Sequence, residues 1–171
     1  MTSLNLSSDH MRFEAVIGTG GIGSGVFFAL EGDHTLGREE SRMGRFMDRR
    51  DYCKLHIICH YLKVLLGQKF NALPIGMVGN DDPGHSLIEE MEKVGMNTRY
   101  VTVARNEQTL YCICFVYPDE TGGNLTVNDS ASSKVGPSHV KAAEQEFRFY
   151  GSKAIALAVP EVPLETRYTL L

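Results

Sequence analysis

Residues Phe70 to Val101 read FNALPIGMVGNDDPGHSLIEEMEKVGMNTRYV. Ala72-Leu73-Pro74-Ile75-Gly76-Met77-Val78 is an unbroken apolar run of strand length, as expected for a strand buried on both faces. Asp82 is placed to cap the next helix, with Pro83 at its first position. Leu87, Ile88, Met91 and Val94 then recur at helical spacing, while Glu89, Glu90, Glu92 and Lys93 face the other way. Gly95 stops the helix, and Thr98 to Val101 starts another strand. One strand, one helix and one return form a complete α/β unit.

Working outward, Phe13 to Ile17 reads as a first strand that runs into Gly18-Thr19-Gly20-Gly21-Ile22-Gly23-Ser24-Gly25. Val26 to Leu30 is short and ambiguous. Gly37 to Asp51 spaces Arg38, Arg42, Arg45 and Arg49 as one helix face, although Gly37 and Gly44 weaken a helix. Asp51 is a suitable N-cap for a helix carrying the stripe Leu55, Ile58, Cys59, Leu62, Leu65 and Leu66, closed by Gly67. Beyond the opening unit the period falls to two. Thr109 to Tyr117 and Asn124 to Val127 read as a hairpin across Pro118 to Gly123. Pro137 to Phe147 is a short helix, Lys153 to Val159 a buried strand, and Pro163 to Thr166 the start of a further helix. Residues 1–12 read as a loose tail.

The chain has 171 residues, enough for one core and too few for two ordinary domains. A net charge of −4 supplies no basic field for nucleic acid. No apolar run reaches membrane-spanning length, and the polar N-terminus lacks the apolar stretch of a signal peptide. Cys53, Cys59, Cys112 and Cys114 fit neither a disulfide framework nor a paired zinc motif, which points to a reducing cytoplasm.

Several patterns invite chemistry. Gly18, Gly20 and Gly23 satisfy G-x-G-x-x-G after a strand, so a dinucleotide site is one alternative; it requires a helix to follow at once. The arginines from Arg38 to Arg50 suit an anion, but Glu39, Glu40, Asp48 and Asp51 lie among them and favour mutual neutralisation. Cys53, His56 and His60 share a helix face, yet a metal needs a further ligand, so partly buried residues are the simpler reading. Cys112 and Cys114 read as small side chains on one sheet face. Asp81 and Asp82 read as capping carboxylates. Glu161, at the C-terminal end of a buried strand, stands where open α/β sheets bind ligands.

The order of elements resembles the N-terminal half of the ribokinase-like (PfkB-type) carbohydrate kinases. Gly76-Met77-Val78-Gly79-Asn80-Asp81-Asp82-Pro83-Gly84 carries the resemblance, with Gly95 before Asn97-Thr98-Arg99-Tyr100-Val101. So do Asp119 to Gly123, Ser130-Ala131-Ser132 ahead of Pro137, and Glu161 to Thr166. The resemblance implies an α/β fold over residues 13–171, with a parallel sheet flanked by helices. It also implies a small β lid drawn from residues 25–50 and 109–128, which can pair with a second lid in a homodimer. It implies transfer of the ATP γ-phosphoryl to a sugar or nucleoside hydroxyl, with ATP and Mg²⁺ held by a further half. Gly20, Gly21, Lys54 and Glu161 would line the substrate pocket.

The pattern also departs from the family. The Asn and Asp expected after the first strand fall on Gly21 and Gly23. The next helix start falls near Cys53-Lys54 and Ile58, and the later Asn on Ser132. No Gly-Ala-Gly-Asp helix start, the family's source of the catalytic base, occurs in the sequence. No ATP, Mg²⁺ or turnover is therefore expected on this chain alone, and a sheet cut midway should drive it to associate. A non-catalytic binding or assembly module on the same fold is the runner-up reading, ahead of the dinucleotide site.

Overall fold

The computed structural model describes Leu4 and residues 11–171; the expected tail over residues 1–12 falls almost wholly outside them. In chain order the elements are β1 (Ala15–Thr19), β2 (Gly23–Leu30), β3 (Gly44–Tyr52), α1 (Lys54–Leu66), β4 (Asn71–Gly79), α2 (Asp82–Lys93), β5 (Val101–Ala104), β6 (Leu110–Val116), β7 (Gly122–Thr126), α3 (Pro137–Ala142), α4 (Glu144–Tyr150), β8 (Ala154–Ala158) and α5 (Leu164–Leu170). They build two sheets. One is parallel, in the order β5-β4-β1-β8; the other is mixed, in the order β3-β2-β6-β7.

The central strands β1 and β4 of the parallel sheet are covered on both faces. Because successive side chains alternate across a strand, Val16, Ala72 and Val78 point to one side and Ala15, Ile17, Leu73 and Ile75 to the other. The first set packs with Leu55 and Cys59 of α1, Leu87 and Met91 of α2, and Phe70. The second packs with Ala143, where α3 meets α4, and with Phe147 and Tyr150. An α/β sheet flanked by helices is therefore what the sequence forms.

The mixed sheet is the lid. β2 leaves the end of β1, pairs antiparallel with β3 and parallel with β6, and β6 returns through the hairpin to β7. Here the arginine-rich segment departs from its helical spacing: Gly44 to Tyr52 is strand β3. Gly44 is a poor helix interior, and β2 offers an open edge for pairing, which Phe46 joins by packing edge-on to Phe28 at 5.2 Å between ring centroids. Tertiary pairing overrides the local period.

Three boundaries shift as well. Asp51 lies within β3, and Cys53 is the N-cap of α1, without a side-chain cap bond. Asp81, not Asp82, caps α2, accepting from Gly84 N at 2.9 Å. The expected helix over residues 137–147 breaks at Ala143 into α3 and α4. No helix among the described residues is long and apolar enough to cross a membrane.

Candidate active site

The ends of β1 and β8 lie side by side, and the turn between β1 and β2 folds back over the segment that follows β8. Gly21 N donates to Pro160 O at 3.0 Å. A side chain on Gly20 would overlap Val159, and one on Gly21 would place its Cβ 2.5 Å from Glu161 Cβ and 2.7 Å from Glu161 Oε2. Glycine is needed at Gly21 so that the Glu161 side chain can occupy that space. Glu161 itself has φ +76°, a left-handed conformation uncommon for a residue with a side chain. Strain of this kind persists where surrounding contacts enforce it and concentrates at binding sites.

Those contacts are visible. Lys54, the first residue of α1, donates from Nζ to Glu161 Oε1 at 2.9 Å. The Glu161 side chain is 13% exposed and that of Lys54 57%. The bond to Glu161 raises the Lys54 pKa above its ordinary value, with burial opposing. The other carboxylate oxygen, Oε2, is buried and has no partner among the described residues. Glu161 also lines a cavity of about 380 Å³ together with Leu110, Thr126, Asn128, Ser130 and Val162. Gly20, Gly21, Lys54 and Glu161, which stand far apart in sequence, thus meet at one place, between the C-terminal edge of the parallel sheet and the lid.

The chemistry of the pair is specific. The ammonium has three N–H donors and spends one on Oε1; the carboxylate is acceptor-only and keeps Oε2 free. A carboxylate acceptor beside an ammonium donor complements adjacent hydroxyls, each of which both donates and accepts.

Other positions serve the fold. Ser132 Oγ accepts from Ile22 N at 3.2 Å and so ties down the glycine turn. A side chain on Gly23 would overlap the Leu110 backbone, and Ile58 packs against the core. Cys53 is buried, and burial followed by the nearby Glu161 charge pushes its thiol pKa up.

The dinucleotide alternative is overturned. Gly18, Gly20 and Gly23 are followed by strand β2, not by a helix. Space over Gly18 is filled by Leu157 and Leu55, and over Gly23 by Leu110, so no cradle is left for a pyrophosphate. Asp81 is a capping carboxylate. Both its oxygens are spent, Oδ1 on Gly84 N and the Thr109 hydroxyl, and Oδ2 on Thr109 N at 2.8 Å. Neither the glycine turn nor the Asp81 carboxylate therefore offers an open place for a nucleotide phosphate or for Mg²⁺.

The arginines do not converge on an anion site. Arg42 pairs with Glu40, Arg50 with Glu90 of α2, and Arg49 stacks over the Phe27 ring at 3.9 Å. Glu40 is held at about 2, first by the Gly37 amide and then by Arg42. His56 is buried with its Nδ1 unpartnered, stacked on His60 and beside Tyr52, and does not join Cys53 in a ligand set. Sequence reasoning missed the left-handed Glu161, which carries no local signal because its φ is imposed from a distant turn. It also missed Asp51 beside Cys112 and Cys114, because a helical reading of residues 37–51 hides which strand face Asp51 shares.

A parallel sheet with helices on both faces and a β lid over its C-terminal edge defines the ribokinase-like class of folds. The sequence profile of the pfkB family carbohydrate kinases matches residues 58–166, and the chain belongs to that family. No curated protein matches the chain. Among solved structures it is similar to ribokinase from Giardia lamblia, at 19% identity and a TM-score of 0.68 over 88% of this chain and 43% of that one. It is similar to Arabidopsis thaliana ribokinase complexed with ribose and ATP, at 16% identity and a TM-score of 0.59 over 92% and 50%. Burkholderia thailandensis nucleoside kinase in complex with inosine also matches, at 18% identity and a TM-score of 0.59 over 74% and 39%. The chain spans about half the length of these structures or less.

Proposed function

We propose that this chain is the acceptor-binding and lid portion of an ATP-dependent carbohydrate kinase, and that it receives a sugar or nucleoside between β8 and the lid. The observation that carries the reading is Glu161. Its conformation is strained, its Oε1 is engaged by Lys54, and its buried Oε2 has no donor. A substrate hydroxyl would supply that donor, and the Lys54 ammonium would donate to the neighbouring hydroxyl. Ribose and inosine, the ligands in two of the similar structures, both carry adjacent hydroxyls and are the first compounds to test.

In this reading ATP and Mg²⁺ belong to residues outside the present sequence, and so does the base that takes the hydroxyl proton. The protein works in a reducing cytoplasm, in keeping with four free thiols, and as a homodimer joined through its lids. Calorimetry with ribose and inosine checks the substrate role. The native chain should bind one of them, and Glu161→Gln should weaken binding about tenfold or more, as expected for a lost charge-assisted bond. Equal binding by the variant would overturn the assignment. ATP consumption by this chain alone should be nil, and measurable turnover would refute the absence of its base.

A further inference from the structure

Among the described residues a second group of reactive side chains lies apart from Glu161, on the lid. Cys112 Sγ and Cys114 Sγ lie 3.1 and 3.0 Å from the same oxygen of Asp51, Oδ2. The three ligand-type atoms fall within 4.8 Å of one another. They come from strands that are not neighbours. Register sets Asp51 of β3 opposite Gly25 of β2, and Gly25 beside Cys112 of β6. Gly25 has no side chain, and any Cβ there would overlap Cys112 Sγ. The thiols therefore reach across the central strand to the carboxylate. On the far side β7 sets Asn124 opposite Cys114, with the Asn124 amide 3.3 Å from Cys114 Sγ.

We propose that this lid cluster is a binding site for one thiophilic divalent cation of the zinc class, held by Cys112, Cys114 and Asp51. Two sulfurs and a single carboxylate are a borderline-soft donor set, which suits zinc and is poorly matched to magnesium or calcium. Zinc takes sulfur at ~2.3 Å and carboxylate oxygen at ~2.0–2.2 Å, so ligand atoms in its tetrahedral shell stand about 3.5 Å apart. The two sulfur-to-oxygen separations need an outward adjustment of well under an ångström. Asn124 is placed to hold a solvent molecule in the fourth position. A disulfide is the poorer alternative. Residues two apart on an extended strand are separated by about 6.6 Å, at the long end of what a disulfide spans. A bound cation would tie β3 to β6 across β2 and stiffen the lid beside the Lys54–Glu161 pair.

Co²⁺ titration of the full chain under reducing, metal-free conditions tests this. One equivalent should produce a thiolate-to-cobalt charge-transfer band and the intense visible absorption of a tetrahedral site, and Zn²⁺ should abolish both. Cys112→Ser and Cys114→Ser should each remove the charge-transfer intensity or halve it, and Asp51→Asn should weaken binding at least about tenfold. Cys53→Ser should leave the spectrum unchanged. Hydrogen exchange of the β3 and β6 amides should slow when Zn²⁺ is added. Absence of the band from wild-type chain with native circular dichroism would overturn the site. So would a full spectrum in the Cys112→Ser/Cys114→Ser double variant, or competition by Mg²⁺ or Ca²⁺ as effective as that by Zn²⁺.

Discussion

Lys54 Nζ stands 2.9 Å from Glu161 Oε1, joining residues 107 positions apart in sequence. The pair links the start of α1 to the segment after β8, and Gly21 leaves the space in which its carboxylate lies. The three residues act as one unit, so their substitutions should not add.

Gly21→Ala puts a methyl group against Glu161 Cβ and Oε2. Overpacking of this order costs about 1–3 kcal/mol. Glu161→Gly removes the ion pair but also removes the obstacle and relieves the left-handed strain. Urea unfolding of both single variants and the double variant should therefore show a double-mutant loss smaller than the sum by at least ~1 kcal/mol. Strict additivity would mean that the turn and the carboxylate are not coupled.

Asp81 holds α2 to the start of β6. Its carboxylate caps the Gly84 amide and also accepts from the Thr109 amide and hydroxyl, while that hydroxyl accepts from Gly79 N at 2.9 Å. Burial acts to raise the Asp81 pKa, but the bonds from Thr109 and Gly84 outweigh it and hold the group below its ordinary value. Asp81→Ala should cost about 2 kcal/mol, combining a lost cap with a buried Thr109 amide left unpaired. Asp82→Ala should cost less than ~0.5 kcal/mol, since Asp82 makes no side-chain cap. Chemical denaturation of the two variants distinguishes a stapling Asp81 from a merely polar helix start.

The parallel sheet was legible because its strands are apolar runs bounded by glycine and capping residues, and these signals are local. The lid hairpin was legible for the same reason, through its period of two. Strand β3 was legible only through the resemblance, which drew lid strands from residues 25–50; locally its arginines recur at helical spacing, and the open edge of β2, a tertiary fact, decides for a strand. At the site, Glu161 and the glycine turn could be anticipated from strand ends and from family resemblance. The free Oε2, the left-handed backbone and the Asp51–Cys112–Cys114 convergence could not, because each depends on register between strands remote in sequence.

His56 gives the protein an acid sensitivity. It is 2% exposed, packed against Tyr52 and His60, with Glu90 and Arg50 nearby. Burial, reinforced by His60, lowers its pKa from 6.5 to about 4. Between those values the unfolded chain binds a proton that the folded chain refuses. The stabilisation is therefore complete above pH 6.5 and is lost as pH falls toward 4. Full loss amounts to on the order of 3 kcal/mol. His56→Phe should flatten the stability profile across that window, and thermal melts from pH 4 to 7 will show it. An unchanged slope in the variant would assign the acid sensitivity to other groups.

The lid face opposite Cys112 and Cys114 is the surface on which the proposed homodimer is tested. Strand alternation puts Tyr111, Ile113 and Phe115 of β6 on that face, and register sets Leu125 of β7 opposite Ile113, with Phe28 between Phe46 and Phe115. Tyr111, Ile113, Leu125 and Phe46 are all exposed, forming a contiguous apolar patch on a four-stranded sheet. Patches of this kind mark interaction surfaces, and a second lid presents the same patch to it, as a two-fold interface requires. Light scattering should give about twice the 19.0 kDa chain mass. Ile113→Lys/Leu125→Lys should return it to the monomer value, because two uncompensated charges would face each other across the two-fold axis. The edge strand β8, with Ile155 exposed, is the competing surface. If Ile155→Lys dissociates the assembly and the lid variant does not, the contact runs through the parallel sheet instead.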